Sequence, residues 1–310
     1  MKGRVVAPMK VPLVLTTRSW TPGTEGVARG RVVAAPSDED EMEAMRGSLA
    51  GAWVLLSGTR PRFGREGDSF GHRLAAFLEE EGILGTLAAS RGELVHTGGS
   101  YRISWDELPT MTQVTLRRDQ AKQIGAWLVD EEEVVCEFDL DQRFVEGPIP
   151  LYNVIAEVPG SEKPEEIVVF GGHIDSWDGA TGTNDNGTGC ATTLEAARLF
   201  MKALQETGMR PKRTVRFMLW SGEEQGLWGS REYIDQHPEE DDRISAVIVH
   251  DGGTNYLSGI VTTPAMEPMF EEVFAPVEAM VDALEDDEFK WEIRRVSKLP
   301  AGIGSDHDSY

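Results

Sequence analysis

The carboxyl-terminal half of the chain alternates strand-like and helix-like segments, and this alternation restricts the fold more than any other feature. The run 167–170 is wholly apolar, as is typical of a strand buried on both faces. Further along, the hydrophobic pattern predicts strands over 215–220 and 244–249 and helices over 187–207, 226–236 and 267–284. Strands that alternate with helices indicate an α/β fold with a mostly parallel sheet flanked by helices.

Before residue 150 the sequence pattern is richer in strands. Short apolar segments separated by polar turns predict strands over 28–34, 53–56, 83–88, 114–116 and 134–138. Helical periodicity predicts helices over 72–81 and 119–128, and the stretch 57–68, with several Gly and Arg residues, is predicted to be a loop. We therefore divide the chain into a β-rich domain over 20–147 and an α/β domain over 150–310.

The charge of the chain narrows the range of its partners. Its 310 residues carry a formal net charge of -23, with 53 acidic residues against 30 basic ones. A surface of this kind repels nucleic-acid phosphates and anionic membranes, so we expect neither as a partner. No segment approaches the roughly 18 apolar residues of a membrane-spanning helix. The apolar run 11–15 is too short and too interrupted by prolines for a signal peptide.

Ionisable residues follow three of the predicted strands, at the position where ligands bind in open parallel sheets. His173 and Asp175 follow the first strand, Glu223 and Glu224 the second, and Asp251 the third. Because the carboxyl ends of parallel strands meet at one edge of the sheet, we expect these side chains to converge. Imidazole and carboxylate ligands suit zinc, and also cobalt or manganese.

Each candidate also has an ordinary structural interpretation. A histidine near a strand end is more often a hydrogen-bonded structural residue, and His250 is interpreted in that way. Asp185 and Asn186, just before a predicted helix, are typical of a turn or a helix cap. The adjacent pair Glu223 and Glu224 is the strongest signal, because two acids flanked by apolar residues and glycine are costly to bury without a cation.

Four segments of the second half carry a family resemblance. GGHIDSWD, GTNDNGTG, LWSGEEQGLWGS and HDGGTN occur in this order. Over about residues 150–310 the chain resembles the two-zinc aminopeptidases and the related carboxypeptidase Q (plasma glutamate carboxypeptidase) family. The resemblance implies the zinc exopeptidase fold, two bound zinc ions and a peptide substrate that is cleaved at a chain end or in a dipeptide. Whether the chain forms a homodimer stays open.

The resemblance also assigns ligand roles residue by residue. His173 and Asp251 match ligands of one zinc ion, and Glu224 matches a ligand of the other. Asp185 takes the place of the carboxylate that bridges the two ions. These four residues are therefore the expected metal ligands.

Two further residues match the catalytic positions of the family. Glu223 matches the general base, which takes a proton from a metal-activated water and later delivers it to the leaving amine. Asp175 matches the residue that orients the histidine ligand. Two alternatives remain: a catalytically inactive binding module of the same fold, against which the retained ligand residues argue, and a glutaminyl cyclase, which shares the fold and binds one zinc.

The type of exopeptidase is predicted only coarsely. The Trp177–Asp178 pair after the first motif favours the carboxypeptidase Q-like branch, so we favour an aminopeptidase or a dipeptidase. A free carboxylate would need an arginine or a cradle of backbone amides. Arg213, Arg216 and Arg231 lie near this region of the sequence, but we expect them at the surface.

The first half resembles, more loosely, the protease-associated domain found in many of these enzymes. The resemblance rests on the order of the strands, on EGILGTL at 81–87 and on HTGG at 96–99. It implies a domain that covers the catalytic domain and shapes access to its cleft.

The end of the sequence departs from the family pattern. Family members have a second histidine ligand in a loop some tens of residues after a Ser-Asp-His segment, whereas here Ser305–His307 is followed by only three residues. We therefore expect a fragment whose catalytic domain is incomplete, with weak binding of the second zinc and poor activity. His307 is a weak substitute ligand. For the intact protein the resemblance implies a secreted or periplasmic location.

Overall fold

The chain folds as two compact units. The structure, a computed structural model, describes residues 1–63, 67–101, 103–254, 256–284, 286, 288–299 and 304–310. Unit 1 consists of Met1–Pro150 and Trp177–Thr181, and unit 2 consists of Leu151–Ser176 and Gly182–Tyr310. The division near residue 150 lies where the sequence pattern changes, but unit 1 also takes in the first strands of the chain and a five-residue segment from the second half.

Unit 1 contains an eight-stranded mixed sheet. Its strands are β1 (Lys2–Ala7), β2 (Val11–Pro12), β3 (Leu15–Thr17), β4 (Val27–Ala34), β5 (Trp53–Leu56), β6 (Gly85–Ala89), β7 (Gln113–Leu116) and β8 (Val135–Asp139). The spatial order is β2-β1-β8-β4-β5-β6-β7-β3. The four central strands from β4 to β7 are parallel, whereas β8 is antiparallel to β4 and β3 is antiparallel to β7.

Three helices accompany this sheet: α1 (Glu39–Met45), α2 (Phe70–Glu80) and α3 (Arg118–Val129). The periodic apolar residues of α2 are buried as predicted, and the helix ends just before Gly82, whose positive φ of 65° an L side chain rarely adopts. Successive residues Trp53 and Val54 belong to two different core clusters, so both faces of β5 are covered. The predicted strands and helices of this half are thereby confirmed. The predicted loop 57–68 has no helix or strand among its described residues, and 64–66 lie outside them.

Unit 2 is built on a four-stranded, mostly parallel sheet. Its strands are β9 (Val154–Val158), β10 (Lys163–His173), β11 (Arg213–Trp220) and β12 (Ile244–Val249), in the order β12-β10-β11-β9. Strand β10 is parallel to both β11 and β12, and β9 is the antiparallel edge strand. The predicted mostly parallel sheet is confirmed, and its central strand β10 carries the first pair of candidate site residues at its carboxyl end.

Helix α4 (Gly187–Thr207) lies between β10 and β11 in the chain, α5 (Trp228–Gln236) lies between β11 and β12, and α6 (Glu267–Asp282) follows later. A separate parallel pair, β13 (Gly259–Thr262) and β14 (Glu292–Arg295), follows, and the final described turn is a 3-10 helix over Asp306–Ser309. Among the described residues, no helix has both the length and the apolar character needed to cross a membrane.

Two expectations about burial in unit 2 differ from the structure. In the run 167–170 the first and third residues are buried, but Val168 and Phe170 are only half-buried, so β10 is not covered equally on its two faces. Arg216 was expected at the surface and is instead buried on β11. It stays charged there because Glu157 and Glu240 accept hydrogen bonds from its guanidinium, with Nε–Oε1 and Nη1–Oε2 distances of 2.6 Å each.

Candidate metal centre

His173 is placed by the close pairing of β10 and β11. It is the last residue of β10, opposite Trp220 on β11, and its side chain is completely buried. Two residues earlier, Gly171 leaves no room for a side chain: a Cβ there would overlap the Trp220 ring and approach the Met218 carbonyl. The glycine therefore allows the strands to pack against the Trp220 ring and fixes the strand end that carries His173.

Two carboxylates from separate loops meet the imidazole of His173. Its Nε2 lies 3.1 Å from Oδ1 of Asp185 and 3.2 Å from Oδ1 of Asp251. One ligand atom from each of the three residues lies within 4.8 Å of the others. Asp185 immediately precedes α4 and is more than half exposed, whereas Asp251 follows β12 and is largely covered. The structure thus brings together three of the four predicted ligands.

Asp175 lies on the other side of the imidazole. Nδ1 of His173 is 3.0 Å from the backbone carbonyl of Asp175 and 3.5 Å from its carboxylate. The same carboxylate accepts hydrogen bonds from the backbone amides of Glu223 and Glu224, at 3.1 Å and 3.2 Å. Asp175 therefore links the end of β10 to the loop after β11. The ring Nδ1–H donates to the backbone oxygen of Asp175, and the Asp175 carboxylate is the more distant of the two acceptors.

Glu223 and Glu224 are both buried in that loop. Oε2 of Glu223 lies 4.0 Å from Nε2 of His173. Burial raises the pKa of Glu223 to about 8, with further upward contributions from Asp251, Asp306 and Glu224 against the opposing effect of His173. Glu224, the fourth predicted ligand, is not part of the converging triad of described residues.

The carboxylates also change the protonation of the histidine. Burial lowers the pKa of His173, but hydrogen bonds to Asp175, Asp185 and Asp251 outweigh it and raise the pKa above the ordinary value for histidine. The imidazole therefore holds a proton amid these acids. A divalent cation would supply the same compensation by displacing that proton, so metal binding here depends on pH.

One buried acid near this cluster was not selected from the sequence. Asp306 is completely buried in the 3-10 turn near the end of the chain. Burial raises its pKa to about 6, with Asp175 and Asp251 adding to the shift and His173 opposing it. The sequence placed Asp306 in a recognisable Ser-Asp-His segment but gave no signal that its carboxylate is buried near the other acids.

The remaining candidates have structural contacts. The Asn186 side chain accepts a hydrogen bond from the Gly189 amide as the cap of α4 and donates to the carbonyl of His250. His307, the proposed substitute ligand, is partly exposed, with Nε2 3.7 Å from Oδ1 of Asp308. Within the described residues it is not a member of the metal-ligand group.

The donor set fits a divalent transition metal. One imidazole nitrogen and two carboxylate oxygens already lie within 4.8 Å of one another, which is a mixed nitrogen and oxygen set of the type that holds zinc, cobalt or manganese. His173 is oriented through Nδ1 by Asp175, leaving Nε2 directed at the two carboxylates.

Comparison with known proteins identifies the family. The profile of peptidase family M28 matches residues 153–308, half of the chain, and this stretch contains every element of the candidate centre. The chain belongs to peptidase family M28. Among curated relatives, the M28 chain is 43% identical to carboxypeptidase Q of Xenopus laevis over 103 residues, which is 33% of this chain and 21% of the relative. The matched segment is thus about a fifth of that relative's length.

Other relatives place the M28 chain among exopeptidases by name. It is 36% identical over 132 residues to a probable aminopeptidase of Saccharomyces cerevisiae, covering 37% of this chain and 35% of the relative. The crystal structure of a peptidase M28 precursor from Shewanella amazonensis is 26% identical, with a TM-score of 0.65, over 99% of this chain and 68% of that one. A zinc aminopeptidase from Bacillus subtilis is 18% identical with a TM-score of 0.53, over 100% of this chain and 68% of that one, and shares the fold.

Proposed function

We propose that this chain is the metal-binding part of a zinc-dependent exopeptidase. The observation that carries the proposal is the convergence of His173 Nε2 with one carboxylate oxygen each of Asp185 and Asp251, with Glu223 4.0 Å from the same nitrogen. Membership of a peptidase family supports a peptide substrate. The zinc named in the description of the Bacillus subtilis relative supports zinc as the metal.

Zinc, when bound, supplies Lewis-acid polarisation of the scissile carbonyl and lowers the pKa of water. The residues of this chain then have separate tasks. His173, Asp185 and Asp251 hold the metal, and Asp175 orients the imidazole. Glu223 is the general base: its carboxylate removes the proton from the attacking water and returns it to the leaving nitrogen, so no net proton is consumed in the step.

We further propose two zinc ions in the intact site. His173 and Asp251 would hold one ion, Glu224 would hold the other, and Asp185 would be a ligand shared by both. The exposure of Asp185 supports a shared role, because its Oδ1 faces His173 while the side chain, 60% exposed, leaves room for a second cation. Glu224 is buried next to Glu223 in the loop after β11, at the position that the family resemblance assigns to a ligand of the second ion.

The proposed substrate is a peptide cleaved at its end or a dipeptide. Relatives named carboxypeptidase Q and probable aminopeptidase agree on an exopeptidase and differ on its type. We favour an aminopeptidase or a dipeptidase. Buried Arg216 is not a candidate for binding a substrate carboxylate, because its guanidinium is already occupied by Glu157 and Glu240.

The test is the Glu223→Gln variant of the zinc-loaded protein. Glutamine keeps the size and the polarity of the side chain but cannot act as a base at neutral pH. We expect hydrolysis of dipeptides and aminoacyl amides to fall at least about 100-fold. The variant should keep its metal, as measured by the visible spectrum of the cobalt-substituted protein.

The control is Glu239→Gln, at an exposed position outside the metal-ligand group of described residues, which should keep the parent rate. Zinc-dependent hydrolysis that survives in Glu223→Gln at close to the parent rate would remove Glu223 from this role. Failure of the parent protein to bind cobalt or zinc would overturn the metallopeptidase proposal itself.

A further inference from the structure

Unit 1 contains a cavity that the proposed peptidase chemistry does not use. Its volume is about 490 Å³, and all its lining residues belong to unit 1. It opens beside the parallel strands β5, β6 and β7. Leu56, the last residue of β5, and Ala88, next to the last residue of β6, both line it. Thr86 and Gln113, near the starts of β6 and β7, line it as well, so the cavity extends along these strands.

The charge of the cavity is opposite to that of the chain. Its described lining residues include four arginines: Arg18, Arg60, Arg62 and Arg91. No aspartate or glutamate is found among its described lining residues, although acidic residues outnumber basic ones by 53 to 30 in the sequence. A concentration of guanidinium groups in an acidic protein creates a local positive potential that attracts anions.

Three of these arginines, Arg60, Arg62 and Arg91, form no ion pair with a carboxylate of the described residues. Other arginines of unit 1, such as Arg46, Arg73 and Arg117, each contact a carboxylate. By contrast, the structure shows no described carboxylate within ion-pair distance of Arg60, Arg62 or Arg91. Repulsion between neighbouring guanidinium groups would be relieved by a bound anion.

The other lining groups indicate an organic ligand rather than a bare ion. Phe63 and Ser19 are buried and Trp20 is half-buried, and they line the cavity together with Ile103. The lining residue Ser19 has a buried Oγ that forms no hydrogen bond with the described residues. A ligand with acidic groups on an apolar frame would contact both kinds of surface.

We propose that this cavity binds a small organic anion with two acidic charges, held by Arg60, Arg62 and neighbouring guanidinium groups. Guanidinium forks bind carboxylate and phosphate oxygens in pairs, so these two chemistries share the same recognition. The volume lies within the range of about 300–1,000 Å³ that is typical of small-molecule sites. The site is separate from the metal centre and does not depend on the proposed peptidase function.

The experiment is calorimetric titration of the metal-free full chain at low ionic strength. Phthalate and phenyl phosphate are the probes, since each places a double negative charge on one aromatic ring, and benzyl alcohol is their uncharged counterpart. We expect saturable binding of at least one of the two anions and none of benzyl alcohol. Preference for phthalate assigns the site to carboxylates, and preference for phenyl phosphate assigns it to phosphate esters.

Variants locate the binding. The double variant Arg60→Gln/Arg62→Gln should raise the dissociation constant of the anion by about tenfold or more, because hydrogen bonds to charged groups are lost. Arg29→Gln is the matched control: it removes one exposed arginine of unit 1 outside the lining and should leave the dissociation constant within about twofold.

Far-UV circular dichroism establishes that each variant is folded, and Arg91→Gln replaces the double variant if that one is not. The proposal is overturned if neither anion binds, if benzyl alcohol binds as tightly, or if removal of the lining arginines leaves the affinity unchanged.

Discussion

At the scale of single residues, the candidate centre depends on the balance between protons and a cation. His173 is buried among acids that raise its pKa, and the buried Glu223 has a pKa raised to about 8. Both shifts reduce the negative charge of the cluster when no metal is bound. Because a metal ion must displace the proton on His173, we infer that the affinity for zinc rises with pH over the range in which these groups titrate.

Asp175 provides a sharp test of this arrangement, since it contacts the imidazole and two backbone amides but is not proposed as a ligand. Asp175→Asn keeps a side chain of the same shape and loses the negative charge beside His173. We expect the dissociation constant for zinc to rise about 10- to 100-fold, as measured by competition with a chromophoric chelator at fixed pH. Asp235→Asn, an exposed site on α5, is the control. An affinity for zinc in Asp175→Asn equal to that of the parent would mean that Asp175 does not support the histidine.

The sequence indicated the candidate residues because they follow directly after apolar strands. Hydrophobic runs in the sequence identify the strands that precede His173, Asp175 and Asp251. Because these strands pair in parallel, the three residues come close together. Asp306 was missed because its burial depends on tertiary packing of the last described turn. The orientation of Asp175, with its carboxylate on the amides of the next loop, could not be derived from alternation along an extended strand.

At the scale of secondary-structure elements, a buried ionic network joins β11 to the 3-10 helix over Pro238–Arg243. The Arg216 guanidinium donates to both carboxylate oxygens of Glu240, at 2.6 Å and 2.9 Å, and to the Tyr233 hydroxyl on α5 at 2.5 Å. The hydrogen bond from Arg216 is the main cause that lowers the pKa of Glu240 to about 2. Three consecutive elements are thus held together around one buried charge.

Glu240→Gln should therefore destabilise the protein. At neutral pH we expect a loss of about 3 kcal/mol in the free energy of unfolding, measured by denaturant titration, because a depressed carboxyl pKa represents stability that the neutral amide cannot supply. The Glu240 contribution is fully present above the ordinary pKa of 4.5 and is lost as the pH falls from there through about 2. The difference between parent and variant should shrink over the same range.

Glu239→Gln tests whether this loss is specific. Glu239 lies on the same 3-10 helix, but its side chain is 65% exposed, so its replacement should change stability by no more than about 0.5 kcal/mol. Equal losses in the two variants, or a loss in Glu240→Gln that does not diminish with acid, would contradict the proposed role of the network.

The elements themselves were predictable to different degrees. Strands β5, β10 and β11 each contain an apolar run and were identified, with ends within a few residues of those observed. The short pair β13 and β14 and the edge strand β9 were missed, since β9 is largely exposed and lacks a buried face. Arg216 was misjudged for a related reason: a single arginine in a strand gives no sign of the distant Glu240 that makes its burial tolerable.

At the scale of the whole molecule, the two units differ in how they are stabilised. Unit 1 has two buried apolar clusters, one around Trp53 and Phe138 and one around Leu74 and Phe77. Among the described residues, the core cluster of unit 2 has five buried members, including Met218 and Trp220. Unit 2 also concentrates the buried acids of the candidate metal centre, which repel one another without a cation. Its stability should therefore depend on metal to a degree that the stability of unit 1 does not.

Scanning calorimetry with and without zinc tests this difference. A ligand that binds only the folded state adds about 2.7 kcal/mol at 100 times its dissociation constant, which for a unit of this size raises the unfolding temperature by about 5–10 °C. We expect zinc to raise the transition of unit 2 and to leave that of unit 1 in place. Asp185→Asn should abolish the shift while disturbing little else, because this ligand side chain is 60% exposed. A zinc-induced shift that persists in Asp185→Asn would show that zinc stabilises the protein elsewhere, since the triad is the metal-ligand group found among the described residues.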